Sequence, residues 1–508
     1  MAGSGRRAEH LFGRIGRMWC GKRVPHEFCG ECPIFVRMKR ILFVLCVSWS
    51  AVAVWAQPSD SLWRTRGRCT GATDVCGAVQ VGMTDTAAYF PLLRGRRVAV
   101  LANHTAVAER SSIGAPAAAG SRLEAPGRSQ SAAACSGAGG FADRASEIRW
   151  GCGSGVCGRN GSGLGSRSAS AGPGASDGQL HLVDLLHACG FDVRGIFAPE
   201  HGFRGTADAG EAVPGGTDAA TGIPVLSLYD GRTLRPSPEA MRSFDVLVVD
   251  MQDVGLRFYT YYIAMLRMMD ACADSGREVI VLDRPNPNGH HVDGPVLDMR
   301  YESGVGALPV PVLHGLTMGE IARMAVGEGW CGPCALTVVR CRGYARDMPY
   351  ALPVAPSPNL PTQRSVYLYP SLGLFEGTVV SVGRGTEKPF ELYGHPDLKG
   401  YAFSFVPRPT AGAGHPPFEG MRCYGEDLSA MPEAEARTVG LNLEYLVEVY
   451  RKLGIGERFF TPMFEKLVGV DWVREMIVAG ASAEEIRARW QGDVERFRRL
   501  RSGYLLYE

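Results

Sequence analysis

A series of short apolar runs, each ending in polar residues, constrains the fold of this 508-residue chain more than any other feature. The runs cover residues 98–102, 193–198, 225–228, 246–249 and 279–282. Apolar residues at helical spacing predict helices at 179–189 and 261–275. Strands that alternate with helices predict a parallel sheet that is covered on both faces, in a Rossmann-like order.

The character of the chain changes near residue 355. A Pro- and Gly-rich stretch covers 357–394, and amphipathic helical patterns follow at 441–453 and 483–500. The sequence therefore predicts the α/β fold class with two parts. These are a Rossmann-like parallel-sheet domain over 79–355 and a smaller C-terminal α+β auxiliary domain over 356–508.

A low-complexity segment interrupts the first domain. Residues 106–176 are dominated by Gly, Ala, Ser and Arg and contain almost no large apolar side chains. Such a segment cannot bury enough surface to offset the entropy lost on ordering, so we expect a disordered insertion. A long loop of this kind is tolerated when its two ends meet at the surface.

A second beginning of the chain lies at Met38. A basic pair follows it, then the apolar segment 41–55, then small residues before Gln57. This pattern is typical of a secretory signal peptide and is short for a membrane span. The alternatives are an N-terminal membrane anchor and lipid attachment at Cys46.

The N-terminal segments are accordingly a non-native extension at 1–37, a signal peptide at 38–56 and a linker at 57–78. The sequence thus predicts an exported protein, periplasmic or associated with the cell envelope. No transmembrane domain is expected in the mature chain.

Composition and motifs exclude several classes of partner. The formal net charge of +2 gives no reason to expect binding to nucleic acid. The histidines lack metal-ligand spacing, and the first strand is not followed by a Gly-x-Gly-x-x-Gly motif, so neither metal nor cofactor is predicted. The string WCGPC at 330–334 matches a thioredoxin motif, but it follows a helix and precedes a strand. That order is the reverse of what thiolate chemistry needs, so the string indicates coincidence or a local disulfide.

Polar clusters follow four of the predicted strands, where ligands of parallel sheets bind. One cluster alone is typical of a turn or helix cap, but four at one edge favour an active site. The candidate catalytic residues are Glu200, His201, Asp250 and Asp253. The candidate substrate-binding residues from the first domain are Asn103, His104, Arg204, Gln252, Arg257, Tyr259, Asp283, Arg284, Asn286 and His314.

Glu200 is the leading catalytic candidate. A Glu beside Gly, Pro and an aromatic residue can be desolvated enough to keep its proton, as a general acid for a leaving sugar oxygen requires. A salt bridge to Arg204 is the structural alternative. His201 would orient Glu200 or bind substrate, while Asp250 and Asp253 are candidates for a second carboxylate.

Arginines are the second class of candidate. Arg257, Arg284 and Arg384 are each able to bind a substrate carboxylate through two parallel hydrogen bonds. Surface pairing is the ordinary alternative for any one of them.

Long motifs in a fixed order identify a family. They are VAVLANHT, FAPEHGFRGTADAGE, DMQDVGLRFYTY, VLDRPNPNG, HGLTMGE, PSPNLPT and LFEGTVVSVGRGTEKPFELYGHP. This set resembles the exo-β-N-acetylmuramidase family of glycoside hydrolases, formerly a family of unknown function. The resemblance runs from about residue 92 to 508, apart from the insertion.

The resemblance implies a cleft between a Rossmann-like domain and an auxiliary domain. It implies release of N-acetylmuramic acid from the non-reducing ends of peptidoglycan fragments, and it matches Glu200 to the catalytic position. Asn359, Glu376, Arg384 and Glu391 would close the cleft from the C-terminal side. The stereochemical course stays open between retaining, inverting and substrate-assisted routes.

Two other functions compete with this interpretation. A catalytically silent muropeptide-binding protein would keep the arginine and aromatic contacts without needing Glu200. An esterase or amidase would need a nucleophile, and no Gly-x-Ser-x-Gly motif occurs outside the low-complexity segment.

Overall fold

The apolar runs of the sequence form the strands of one central sheet. The computed structural model describes residues 79–113, 178–200, 202–203, 215–228 and 235–508. The strands are β1 (Arg97–Ala102), β2 (Val107–Glu109), β3 (Gln179–His181), β4 (Asp192–Ala198), β5 (Gly216–Thr217), β6 (Pro224–Ser227), β7 (Val246–Asp250), β8 (Glu278–Leu282), β9 (Asp293–Val296), β10 (Pro311–Leu313), β11 (Ala335–Val339), β12 (Leu392–His395), β13 (Phe403–Phe405) and β14 (Cys423–Asp427). The helices are α1 (Thr86–Leu93), α2 (Leu182–Ala188), α3 (Pro238–Arg242), α4 (Tyr261–Ser275), α5 (Met318–Gly327), α6 (Gln363–Leu372), α7 (Glu433–Val439), α8 (Glu444–Leu453), α9 (Phe464–Val468), α10 (Trp472–Val478) and α11 (Ala483–Arg501).

The central sheet has the strand order β11-β8-β7-β1-β4-β6-β5. Its neighbours pair in parallel, except for the short edge strand β5. On one side of β1 the chain adds β4 and β6 in turn, and on the other side it adds β7, β8 and β11. This is the strand order of a doubly wound Rossmann-type sheet. The predicted α/β fold is therefore confirmed, and its switch point lies between β1 and β7.

Side chains of β1 alternate between two cores. Val98 and Val100 pack on one face with residues of α1 and α2, while Ala99 and Leu101 pack on the other face with α4. Both faces exclude water, which explains why the strand reads as a continuous apolar run instead of an alternating one.

The C-terminal part contains a three-stranded antiparallel sheet, β12-β14-β13, and the helices α6 to α11. Many of its apolar side chains, among them Phe375, Tyr393 and Trp490, belong to the same buried cluster as α4 and α5. The indole of Trp490 also donates to Asp293 Oδ1 at 2.8 Å, which ties α11 to β9. The described residues therefore form one compact unit, and the predicted division at residue 355 stays a prediction.

The start of the insertion and the first predicted helix require correction. Residues 107–109 form β2, which pairs antiparallel with β3, so neither 107–109 nor 179–181 has the predicted conformation. Helix α2 begins only at Leu182, and the His181 side chain caps it by accepting from the Val183 amide at 3.1 Å. The long-range pairing with β2 prevails over the helical periodicity of 179–181. It also holds Glu109 beside Gln179, so the flanks of the insertion meet.

The N-terminal segments predicted at 1–37, 38–56 and 57–78 lie outside the described residues, as does 114–177. No helix within the described ranges is long and apolar enough to cross a membrane.

Candidate active site

A cavity of about 350 Å³ opens beyond the carboxyl ends of the central strands. Residues of the first domain and of the C-terminal part line it together. They are Glu200, Phe258, Tyr259, Thr260, Tyr261, Val305, Ser357, Asn359, Leu360, Tyr369, Glu376, Arg384, Phe390, Met463 and Leu467. Its size falls within the range of small-molecule sites, and its position is the one expected for a doubly wound sheet.

Glu200 reaches the cavity from the end of β4. A turn closed by the Gly202 amide, which donates to the Pro199 carbonyl at 3.0 Å, follows the buried end of the strand. The hydroxyl of Thr260 donates to Glu200 Oε2 at 2.5 Å. This contact holds the carboxyl group against the start of α4.

The segment between β7 and α4 forms the neighbouring wall. Gly255 has a φ of 82°, and an added Cβ would lie 2.3 Å from the Asn286 side chain, so the turn requires glycine. The turn directs Tyr259 and Tyr261 toward the C-terminal part, where both hydroxyls donate to the Pro356 carbonyl, at 2.8 and 3.0 Å. Burial raises the pKa of Tyr261, and the charge of Glu200 adds to the effect.

The opposite wall carries a charged pair from the C-terminal part. Arg384 Nε donates to Glu376 Oε1 at 2.7 Å, and the guanidinium lies over the Phe390 ring, 5.1 Å from its centroid. Burial lowers the pKa of Arg384, but the carboxylate of Glu376, and less strongly that of Glu200, outweighs it, so the pKa is raised. The charges of Glu200 and Arg384 thus interact across one cavity.

Tyr369 lines the same cavity as these charged groups. Its ring packs edge-on against Phe258 and Phe390, and it projects from α6 into the cavity. Burial raises the pKa of its hydroxyl, as do the nearby carboxylates of Glu376 and Glu200. No described residue forms a hydrogen bond with this hydroxyl. It is therefore available to a ligand.

Several predicted site residues are not part of the cavity lining and lie at the carboxyl ends of β1, β7 and β8, which we call the switch edge. Arg284 binds Asp250 through two nitrogens and also donates to the Val107 carbonyl, and all of these groups are buried. The Thr105 hydroxyl connects the ends of β1 and β7, because it donates to Asn103 Oδ1 and accepts from the Gln252 amide.

Neither Asp250 nor Arg284 borders the cavity. We therefore correct their assignment as site residues: the two side chains bind each other and hold the sheet edge together. The same correction applies to Asn103 and Gln252, which connect neighbouring loops.

Other predicted residues are also occupied within the protein. Asp283 accepts from Thr317, Gly319 and Tyr507, and Asn286 and His314 bond backbone groups of nearby loops. Burial lowers the pKa of His314 to about 3, so the imidazole is neutral.

Two charged residues, Arg257 and Glu391, are likewise occupied. Arg257 donates to the carbonyls of Pro295, Val310 and Leu467, and Glu391 bonds Thr362 and Arg364. Neither residue lines the cavity. The prediction that they bind substrate is therefore corrected: their polar groups bind other parts of the protein.

His104 bonds the Ala355 carbonyl at 2.8 Å through Nε2 and lies beside the cavity without lining it. His201 and Arg204 lie outside the described residues.

Asp253 is buried behind the cavity tyrosines. Its Oδ1 accepts from the Gly255 amide at 2.6 Å, whereas Oδ2 has no hydrogen-bond partner among the described residues. Burial raises its pKa to about 7.

Of the residues predicted from the sequence, Glu200, Tyr259, Asn359, Glu376 and Arg384 line this cavity, and their roles in it stay predictions. Most of the aromatic lining was not predicted. Tyr261 stands in the quoted motif DMQDVGLRFYTY, two residues after Tyr259. Its place after the same predicted strand could have identified it. Tyr369 stands outside every quoted motif, in the Pro- and Gly-rich stretch 357–394. Only the packing of α6 against the cavity identifies it.

The cysteines of WCGPC have no catalytic geometry. Cys331 and Cys334 are buried and free, between α5 and β11, and burial raises the pKa of Cys331 to about 12. The local disulfide that the spacing allowed is not formed. No group of three metal-binding side chains occurs in the ranges that the structure describes.

Comparison with known proteins gives a consistent result. Residues 169–364 match the family model described as exo-beta-N-acetylmuramidase NamZ, N-terminal, and residues 367–507 match its C-terminal counterpart. The peptidoglycan beta-N-acetylmuramidase NamZ of Bacillus subtilis (strain 168) is 40% identical over 343 residues, which are 64% of this chain and 82% of that protein.

Two crystal structures of DUF1343 family proteins from Bacteroides fragilis NCTC 9343 are similar to this structure. They have TM-scores of 0.66 and 0.62 and sequence identities of 43% and 26%. Each alignment covers 85% of this chain and 99% of the solved chain.

Proposed function

The chain belongs to the NamZ family of exo-β-N-acetylmuramidases, and we propose that Glu200 is the general acid of its glycosidase reaction. The protein releases N-acetylmuramic acid from the non-reducing ends of peptidoglycan fragments. One observation carries the assignment: Glu200 lines the cavity at the carboxyl edge of the sheet and faces the charged pair Arg384–Glu376.

The geometry supports the following course. Tyr259, Tyr369 and Phe390 provide aromatic walls for the apolar faces of a sugar ring. Glu200, held by Thr260, would protonate the glycosidic oxygen as the bond to C1 breaks. The second group of the reaction is Glu376, the other carboxylate of the described lining, or the acetamido group of the substrate itself.

A leaving-group comparison tests the acid. p-Nitrophenol leaves with little protonation, whereas a sugar needs a proton, so Glu200→Gln should lower kcat about 10³-fold on a MurNAc–GlcNAc disaccharide. On p-nitrophenyl β-N-acetylmuraminide the loss should be at least tenfold smaller. The matched variant Glu376→Gln should lower kcat equally on both substrates if Glu376 is the nucleophile.

Two outcomes would contradict the proposal. Equal losses on both substrates for Glu200→Gln would remove Glu200 as the acid. Absence of muraminide hydrolysis by the folded wild-type chain would favour the catalytically silent binding protein.

The location of the enzyme is also a proposal, which the signal-peptide pattern at 38–56 supports. Export to the periplasm or cell envelope places the enzyme beside its polymeric substrate. N-terminal sequencing of the protein from the envelope fraction should then begin at Gln57, and a mature chain that still contains Met38 would argue for an anchor.

A further inference from the structure

Arg384 presents unused hydrogen-bond donors to the cavity. Its Nε bonds Glu376, and neither terminal nitrogen has a partner among the described residues. Among the described residues that line the cavity, Arg384 alone carries a positive charge. A guanidinium has five N–H donors, so most of its capacity is available to a ligand.

The other arginines of the predicted site differ in this respect. The terminal nitrogens of Arg257 donate to three backbone carbonyls, and those of Arg284 are engaged by Asp250, Val107 and Met83. Of the three arginines proposed from sequence to bind a carboxylate, the structure leaves this role open to Arg384 alone.

The backbone around Arg384 is shaped to hold it in place. Gly383 and Gly385 flank it with φ values of 77° and 80°, a region that side-chain-bearing residues rarely adopt. Phe390, whose ring supports the guanidinium, itself has a φ of 57°. A non-glycine residue is strained in this region and persists there only where the surrounding structure requires it.

The charge balance of the cavity also fits an anion. When Glu200 carries the proton that a general acid donates, the remaining charged groups of the described lining are Glu376 and Arg384. These two balance each other. An incoming carboxylate then meets two unpaired guanidinium nitrogens and the Tyr369 hydroxyl, without a second unpaired anion.

We propose that Arg384, with Tyr369 beside it, binds the lactyl carboxylate that distinguishes N-acetylmuramic acid from N-acetylglucosamine. The inference rests on the proposed function and adds the residue that selects the substrate. In the sugar ring, only C2 separates C3, which carries the lactyl ether, from C1, where the glycosidic bond breaks. The general acid and the carboxylate ligand must therefore share a cavity. Glu200 and Arg384 do so.

Binding in the absence of turnover tests this assignment. Titration calorimetry on Glu200→Gln would compare methyl β-N-acetylmuraminide with its lactamide, in which the carboxylate becomes a neutral amide. We expect the carboxylate to bind about 10- to 100-fold more tightly, as charge-assisted hydrogen bonds predict. Adding Arg384→Gln should remove the difference, and Arg384→Lys should retain part of it because lysine offers a single point charge.

Arg364→Gln is the matched control. Its side chain is 23% exposed against 19% for Arg384, and it also binds a carboxylate, that of Glu391, without lining the cavity. This variant should keep the preference for the carboxylate. If Arg384→Gln does not fold, the ligand comparison on Arg384-containing protein and on Arg384→Lys still decides the matter.

The outcomes separate this inference from the proposed function. Hydrolysis of muraminides without any preference for the carboxylate over the lactamide would overturn the subsite and leave the function intact. A preference that persists in Arg384→Gln would assign the carboxylate to another residue. An Arg384-dependent preference in a chain that hydrolyses no muraminide would support the subsite and contradict the function.

Discussion

The switch edge of the sheet and the C-terminal wall of the cavity are both rich in charged residues, yet they use them differently. At the switch edge, Asp250 and Arg284 satisfy each other in the protein interior. On the C-terminal wall, Arg384 binds Glu376 through one nitrogen, and neither terminal nitrogen has a hydrogen-bond partner among the described residues. A charged motif at a strand end therefore indicates a site only when its polar groups remain available.

The largest expected effect comes from breaking the pair at the switch edge. Arg284→Leu would leave the Asp250 carboxylate buried without a counterion, and we expect the free energy of unfolding to fall by about 3–5 kcal/mol. Urea unfolding followed by tryptophan fluorescence measures this. The exposed pair Arg242–Glu239 is the control, because Arg242→Leu should cost less than about 1 kcal/mol. Similar losses of unfolding free energy from both variants would contradict the expected penalty for leaving Asp250 buried without its counterion.

The next effect concerns Asp253 and depends on pH. Burial raises its pKa to about 7, so the folded protein binds the proton more tightly than the unfolded chain. The free energy of unfolding therefore falls as pH rises from about 4 to about 7. Asp253→Asn should remove this fall and stabilise the protein at pH 8 on the order of 2 kcal/mol.

Asp245→Asn provides a control of opposite sign. Hydrogen bonds from Arg97 lower the pKa of Asp245 to about 2, so this carboxylate stabilises the fold at neutral pH. The variant should be less stable than wild type at pH 8. Loss of hydrolysis in an Asp253→Asn protein that is stabilised at pH 8 would instead identify Asp253 as a catalytic group.

The smallest effect distinguishes two tyrosines of the same cavity. Tyr369→Phe should raise KM about three- to tenfold with the melting temperature unchanged, because its hydroxyl has no partner among the described residues. Tyr259→Phe loses a hydrogen bond to Pro356 and should lower stability by about 1 kcal/mol. A fall in melting temperature for Tyr369→Phe would show that its hydroxyl is used within the protein.

Much of the fold was predictable because its signals are local. The apolar runs at 98–102 and 246–249 have the length of strands and are buried on both faces, so each reads as a continuous apolar segment. The pattern at 179–189 misled because three of its residues pair with β2, and that contact crosses the whole insertion. Strand pairing between residues so far apart in sequence cannot be recognised from the pattern of neighbouring residues.

The candidate site was predictable in part for a related reason. Glu200 and Arg384 stand in motifs whose residue types suit the chemistry, and both line the cavity. Asp283 stands in an equally polar motif, yet its carboxylate accepts hydrogen bonds from Thr317 and Tyr507, which are both distant in sequence. Whether a polar group is satisfied depends on partners that the chain brings from elsewhere.

Strand length, turn chemistry and motif order can be read along the chain, so the α/β class, the family and the glutamate at the end of β4 follow from the sequence. Which charged groups face the cavity and which hold the sheet together depends on the folded arrangement. Hydrogen-bond satisfaction is a property of the packed chain, and Arg284 and Arg384 differ in their neighbours alone.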